Sequence, residues 1–154
     1  MAVLALPVPM DGLESRELYH EDFNVAVPNN HPLAKKSSIK LDDLTGETLL
    51  LLEDGHCLRD QALDVCSRID VKENEDYRAT SLETLRQMVA AGLGITLLPD
   101  LATRGPFNSG QALAVKSFAK PVPTRTVGAV WRKSSSRTQA IDAMCEVIKT
   151  AMKE

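Results

Sequence analysis

Two thiols and two basic side chains lie close together in "GHCLRDQALDVC", residues Gly55 to Cys66. Cys57 is flanked by His56 and Arg59, and Cys66 follows nine residues later. A cysteine in the first turn of a helix is favoured as thiolate by the macrodipole and the unpaired N–H groups there, and neighbouring positive charge adds to that. These are the ingredients of a reactive cysteine. The plainer alternative is a pair of small, inert hydrophobes.

The spacing limits what the pair can do. Leu58, Ala62, Val65, Cys66 and Ile69 recur with helical periodicity, so the segment after Gly55 reads as an amphipathic helix. Nine helical residues rise about 13.5 Å and turn about 900°, which puts the two side chains on opposite faces. A disulfide needs Cα atoms roughly 4.4–6.8 Å apart. Cys57 and Cys66 therefore cannot bond while the helix is intact, and bonding requires it to unwind or bend. Closing a loop of about ten residues constrains the unfolded ensemble by roughly 2.7 kcal/mol, comparable to the cost of melting a few helical turns. If the bond forms, it acts as a switch and not as a staple.

Other chemistries fit less well. His56, Cys57 and Cys66, with Asp54 or Asp60 as a fourth ligand, make zinc the main rival, but adjacent His-Cys converges poorly and no C-x2-C pair exists. His20 and His31 fall in loop-like segments and no G-x-S-x-G is present, which argues against a hydrolase. The "GLG" at Gly92–Gly94 closes a helix where a phosphate loop would open one. Cys145 lies on an apolar helical stripe and reads as core. Arg125 reads either as a buried ion-pair partner or as a surface residue.

The whole chain has 154 residues, 44% hydrophobic and 25% charged, enough for one domain or two small ones. Aromatic residues are only 4%, so the core must rest on Leu, Val, Ala, Ile and Met. A net charge of -3 argues against this segment gripping nucleic acid by itself. Three cysteines do not make a secreted disulfide framework, and no apolar run approaches the ~20 residues of a membrane span. The first residues lack a basic n-region, so a reducing cytoplasm is the expected compartment.

The elements needed to position the thiols follow from the pattern. Strands are expected at Val3 to Val8 (buried), Phe23 to Pro28 (half-buried), Thr48 to Leu52, "YRAT", "ITLLP" and Arg125 to Trp131. Helices are expected after Gly55, after a capping box of Thr80 with Glu83, and along Ile141, Met144, Cys145, Ile148 and Met152. Thr103 to Gly110 reads as a loop and "KSSSR" as a solvated turn. Strands alternating with helices imply an α/β fold with largely parallel pairing.

"LEDGHCLRDQA", a second cysteine nine residues after the first, and "RATSLETLRQMVAAGLGITLLP" together resemble the OxyR family, the peroxide-sensing branch of the LysR-type transcriptional regulators. The similarity runs from about Val3 to the last helix, and "GHCLRDQ" is much more specific than the general "GxGIxLLP" pattern. The resemblance implies a redox sensor and not an enzyme. Cys57 would be the peroxidatic cysteine, oxidised by hydrogen peroxide to a sulfenic acid, and Cys66 the resolving cysteine that condenses with it. His56 and Arg59 would assist thiolate formation and peroxide positioning, with Asp60 orienting Arg59. The family refolds this region on oxidation, and a glutathione/glutaredoxin-type reductant would reset it. No cofactor and no metal is implied.

The implied architecture is periplasmic-binding-protein-like, one lobe complete and the other partial. Residues 23–101 would form the second lobe, residues 1–22 and 110–154 a remnant of the first, and 102–109 a crossover loop. The winged helix-turn-helix, the linker helix and the opening of the first lobe have no counterpart here, nor do the hydroxyl residues that help seat peroxide in the family. The expectation is a shortened chain that self-associates as a homodimer or tetramer, with promoter DNA and RNA polymerase as partners only of the intact protein. Two rival functions remain: a LysR-type effector domain that binds a small organic ligand between its lobes, and a thiol peroxidase. For the latter, no C-x-x-C or P-x-x-x-T-x-x-C pattern is present.

Overall fold

A computed structural model describes residues 1–104 and 112–152. The chain divides into two compact units, one formed by Met1–Glu21 with the segment from Thr124 onward, the other by Asp22–Pro123.

In the first unit, strand β1 (Ala2–Leu6) pairs antiparallel with strand β7 (Thr124–Arg132), from Ala2 opposite Val130 to Leu6 opposite Thr126. Strand β7 also borders the opening part of strand β2 (Leu13–Pro28). Helix α4 (Thr138–Ala151) closes a small core of Leu18, Ala129, Trp131, Ile141 and Cys145. Cys145 is fully buried there, as its place on the stripe implied. Met144, expected on the same stripe, is half exposed. Strand β1 is also not the buried strand expected: it lies at the sheet edge, and only Ala5 is buried. Arg125 proves to be an ion-pair partner, with Nη2 2.7 Å from Oε2 of the buried Glu21.

The second unit holds the larger core. Phe23 to Pro28 of β2 are buried without a break, because apolar groups cover both faces of this stretch and not one. Strand β5 (Thr96–Pro99) pairs antiparallel with β2 on one side, and strand β6 (Leu113–Ser117) on the other. Strand β3 (Thr48–Leu52) pairs parallel with strand β4 (Lys72–Ala79) and reaches β5 through a bridge from Leu49 to Ile95. Helix α1 (Cys57–Cys66) and helix α2 (Leu82–Ala90) supply Leu58, Ala62, Cys66, Leu85 and Val89 to this core.

The class is α/β, but the expected pairing is corrected. Among the described residues the registers β1–β7, β2–β5 and β2–β6 are antiparallel while β3–β4 is parallel, because the long β2 runs against strands drawn from the second half of the chain. The β6 strand was not expected, and its pairing places residues 112–123 with the second unit, not with the remnant of the first. The expected loop and crossover fall mainly outside the described residues, and Asp100–Thr103 forms one short helical turn (α3). The cap of α2 is shifted by one residue. Ser81, not Thr80, precedes the helix and its Oγ accepts from the Thr84 N–H at 3.1 Å. Gly92, with φ +81°, ends that helix in a conformation that glycine adopts without strain.

Candidate functional site

The parallel pair β3–β4 delivers the chain to the thiols. Leu49 to Leu52 are buried, and the strand then leaves the core at Glu53, whose N–H donates to Ala79 O. Gly55 reverses the chain with φ +91°, and His56 follows in extended conformation. Helix α1 begins at Cys57, as its periodicity implied.

Cys57 occupies the first helical position and is exposed. His56 makes no side-chain cap hydrogen bond, so the start of α1 keeps its anion-favouring character beside the thiol. Cys66 is the last residue of the same helix and is only 5% exposed. Burial pushes its thiol up to about 11. Leu58, Ala62 and Cys66 form the buried face at four-residue intervals, while Cys57 stands half a turn of phase away from Cys66. Both cysteines are free thiols. One is thus accessible at the start of the helix, and the other is held neutral in the core about 13.5 Å along the axis.

Arg59 reaches away from solvent, its side chain 11% exposed. Its Nε donates to Asp54 Oδ1 at 2.8 Å, and its Nη1 and Nη2 fork onto Glu73 at 2.7 and 3.3 Å. Contact with Glu73 and Asp54 raises the pKa of this guanidinium above its ordinary value. The orienting partner is therefore not Asp60, as expected, although Asp60 shares the first turn. Adjacent helical residues diverge by about 100°, which explains why a sequence neighbour is a poor partner. Arg78 completes the group, donating to Asp54 Oδ2 at 2.9 Å and lying 3.3 Å from Glu73 Oε1. Glu73 and Arg78 carry no signal in the sequence, which singles out Asp54 only as a zinc ligand, because the group comes together only once β4 is paired.

The remaining candidates have local structural work. His20 Nδ1 lies 3.1 Å from Thr126 Oγ1. His31 accepts from Leu33 N–H and meets Glu47 at 3.2 Å. Among the described residues, no cluster of three or more His, Cys, Asp or Glu could hold a metal ion, and no helix is long and apolar enough to cross a membrane.

Residues 1–153 match the family model described as the LysR substrate binding domain. The chain is 42% identical over 150 residues to the DNA-binding transcriptional dual regulator OxyR of Escherichia coli, covering 97% of this chain and 49% of that protein. It thus spans about half the length of the curated relatives it matches. Among solved structures, the reduced OxyR regulatory domain of Pseudomonas aeruginosa is similar with TM-score 0.81 and 37% identity, covering 96% of this chain and 71% of that one. A hydrogen-peroxide-bound cysteine-to-serine mutant of Corynebacterium glutamicum OxyR is similar with TM-score 0.87 and 37% identity, over 98% of this chain and 48% of that one.

Proposed function

This chain belongs to the LysR substrate-binding-domain family, and we propose that it serves as the redox-sensing regulatory part of a hydrogen-peroxide-responsive transcriptional regulator. One observation carries the reading beyond the family: an exposed thiol at the first position of α1 and a buried thiol at its last, on opposite faces of one helix. Relatives named as hydrogen peroxide-inducible genes activators support the choice of oxidant.

The chemistry has two steps. The Cys57 thiolate attacks one oxygen of hydrogen peroxide; the O–O bond breaks, the leaving hydroxide takes a proton as water, and Cys57 becomes a sulfenic acid. Cys66 then attacks the Cys57 sulfur, the S–O bond breaks, and a second water leaves as the disulfide forms. Two thiols are oxidised and one peroxide is reduced to two waters. Cys57 opens α1, His56 precedes it, Arg59 and Asp60 share its turn, and no cofactor is required. The bond needs α1 to open, and the opened helix is the signal. In an intact regulator that signal would reach promoter DNA and RNA polymerase through self-associated chains, and a glutathione/glutaredoxin-type reductant would reverse it.

The test is sulfenic-acid trapping with a cyclic dione during addition of stoichiometric peroxide to reduced protein. The adduct is expected at Cys57 within seconds, and a Cys66→Ser variant should accumulate it. An adduct confined to Cys66, or none, would overturn the reading.

A further inference from the structure

Four charged side chains form a closed ring beside α1. Asp54 bridges Arg59 and Arg78, and Glu73 bridges the same two guanidinium groups. Glu73 is well covered, with its side chain 20% exposed, whereas Asp54 is open to solvent. The members come from three places: the turn before the helix, the helix's first turn, and both flanks of an irregularity in β4.

That irregularity matters for what the ring does. Between Leu49 and Leu51, β3 advances two residues while β4 advances five, from Glu73 to Arg78. Among the extra residues the Tyr77 N–H donates to Asn74 Oδ1 at 3.2 Å. Glu73 and Arg78 meet across the neck of this bulge. The segment is moored in the core at Leu52 and Ala79, which are buried. Between those moorings, charge ties the start of α1 to β4. Among the described residues the buried Arg78 Nε has no hydrogen-bond partner, so the two carboxylates set the orientation of that guanidinium.

We propose that this ring is a clasp that favours the dithiol form, and that Glu73 is a positioning residue whose contact with Arg59 sets the potential of the Cys57–Cys66 couple. The proposal rests on the thiol-pair reading above. Arg59 lies two residues from Cys57 and inside the loop that a Cys57–Cys66 bond closes. The bond cannot form on an intact α1, because the thiols are about 13.5 Å apart along the helix axis. Opening the first turn carries Arg59 away from Glu73. The clasp is therefore present in the dithiol and lost in the disulfide, and whatever it contributes is subtracted from the driving force for oxidation. Bidentate guanidinium–carboxylate contacts at this depth are among the stronger ones, although partial exposure weakens them.

The experiment equilibrates the chain in glutathione redox buffers and reads the bridged fraction by intact mass and peptide mapping. Glu73→Gln is expected to raise the equilibrium constant for Cys57–Cys66 bridging about tenfold, a fall in potential of about 30 mV for this two-electron couple. Arg59→Gln should raise the constant by a similar factor and add little to Glu73→Gln when the two are combined, because both remove the same contact, and Glu75→Gln, an exposed acid on the same strand, should leave it unchanged. A purely structural acid would lower the melting of both redox forms alike and leave the constant alone. That result, in Glu73→Gln or in Asp54→Asn should the first variant not fold, overturns the proposal. Absence of a bridge in any buffer overturns it as well, since there is then no transition to oppose. A bridge that forms in glutathione buffer but not with peroxide refutes the peroxide reading and leaves the clasp to be judged by the same constants.

Discussion

With Cys57 replaced by serine, Cys66 can be followed alone in the helix, and its reactivity can be worked from its surroundings. Burial holds its thiol up at about 11. At pH 7.5 such a group is ionised to about 3 parts in 10,000, against about 9% for an ordinary cysteine near 8.5, a deficit of about 300-fold. A thiolate of higher pKa is the better nucleophile by about 13-fold over this interval, which leaves a net slowing of about 20-fold. Its 5% exposure adds steric protection. Native Cys57→Ser protein should thus alkylate at Cys66 at least about 20 times more slowly than the same protein in urea, as read by iodoacetamide labelling with peptide mapping. The unfolded rate should level off as pH passes about 8.5, while the native rate keeps climbing toward 11. The sign of the stability effect follows. Above the ordinary thiol range the group ionises only when the helix is open, so α1 loses up to about 3 kcal/mol as pH rises toward about 11, and loses nothing below that range. Native labelling within twofold of the urea rate would refute the reasoning.

Leu58 is the core anchor nearest Cys57, and Leu58→Ala should loosen α1 by about 2–4 kcal/mol, seen as faster amide hydrogen exchange along the helix. Arg125→Met would leave the buried Glu21 carboxylate without this guanidinium, so the first unit should lose about 3 kcal/mol, measured by thermal melting. Gly94→Ala would bring a methyl group within 2.5 Å of Thr48 O and 3.1 Å of Leu50 Cγ, with an expected loss of about 2 kcal/mol or more in urea unfolding.

Local pattern made much of the fold legible. The run "TLLLL" is strand β3 from end to end, and the four-residue spacing of Leu58, Ala62 and Cys66 gives the buried face of α1. Features that depend on pairing were harder to see. Residues 13–22 alternate weakly and carry many charges, yet they extend β2 because β7 pairs with them. "LAVKS" is short and only half-buried, so β6 becomes recognisable through its register with β2.

The same division holds at the site. Cys57, Cys66 and His56 lie within one helix and its approach, where spacing is informative. Glu73 and Arg78 lie 14 and 19 residues beyond Arg59 in the chain, and the β4 bulge is what brings them to it. Sequence proximity suggested Asp60 for that place, and helical geometry turns it aside.

Hydrogen exchange of the α1 peptide, read by mass before and after stoichiometric peroxide, tests most directly whether helix and disulfide exclude each other. The dithiol should protect the amides from Asp60 to Cys66, and the oxidised peptide should carry a Cys57–Cys66 bridge and exchange rapidly throughout. A bridged peptide that keeps its protection, or thiols that survive the peroxide unbridged, would contradict the switch.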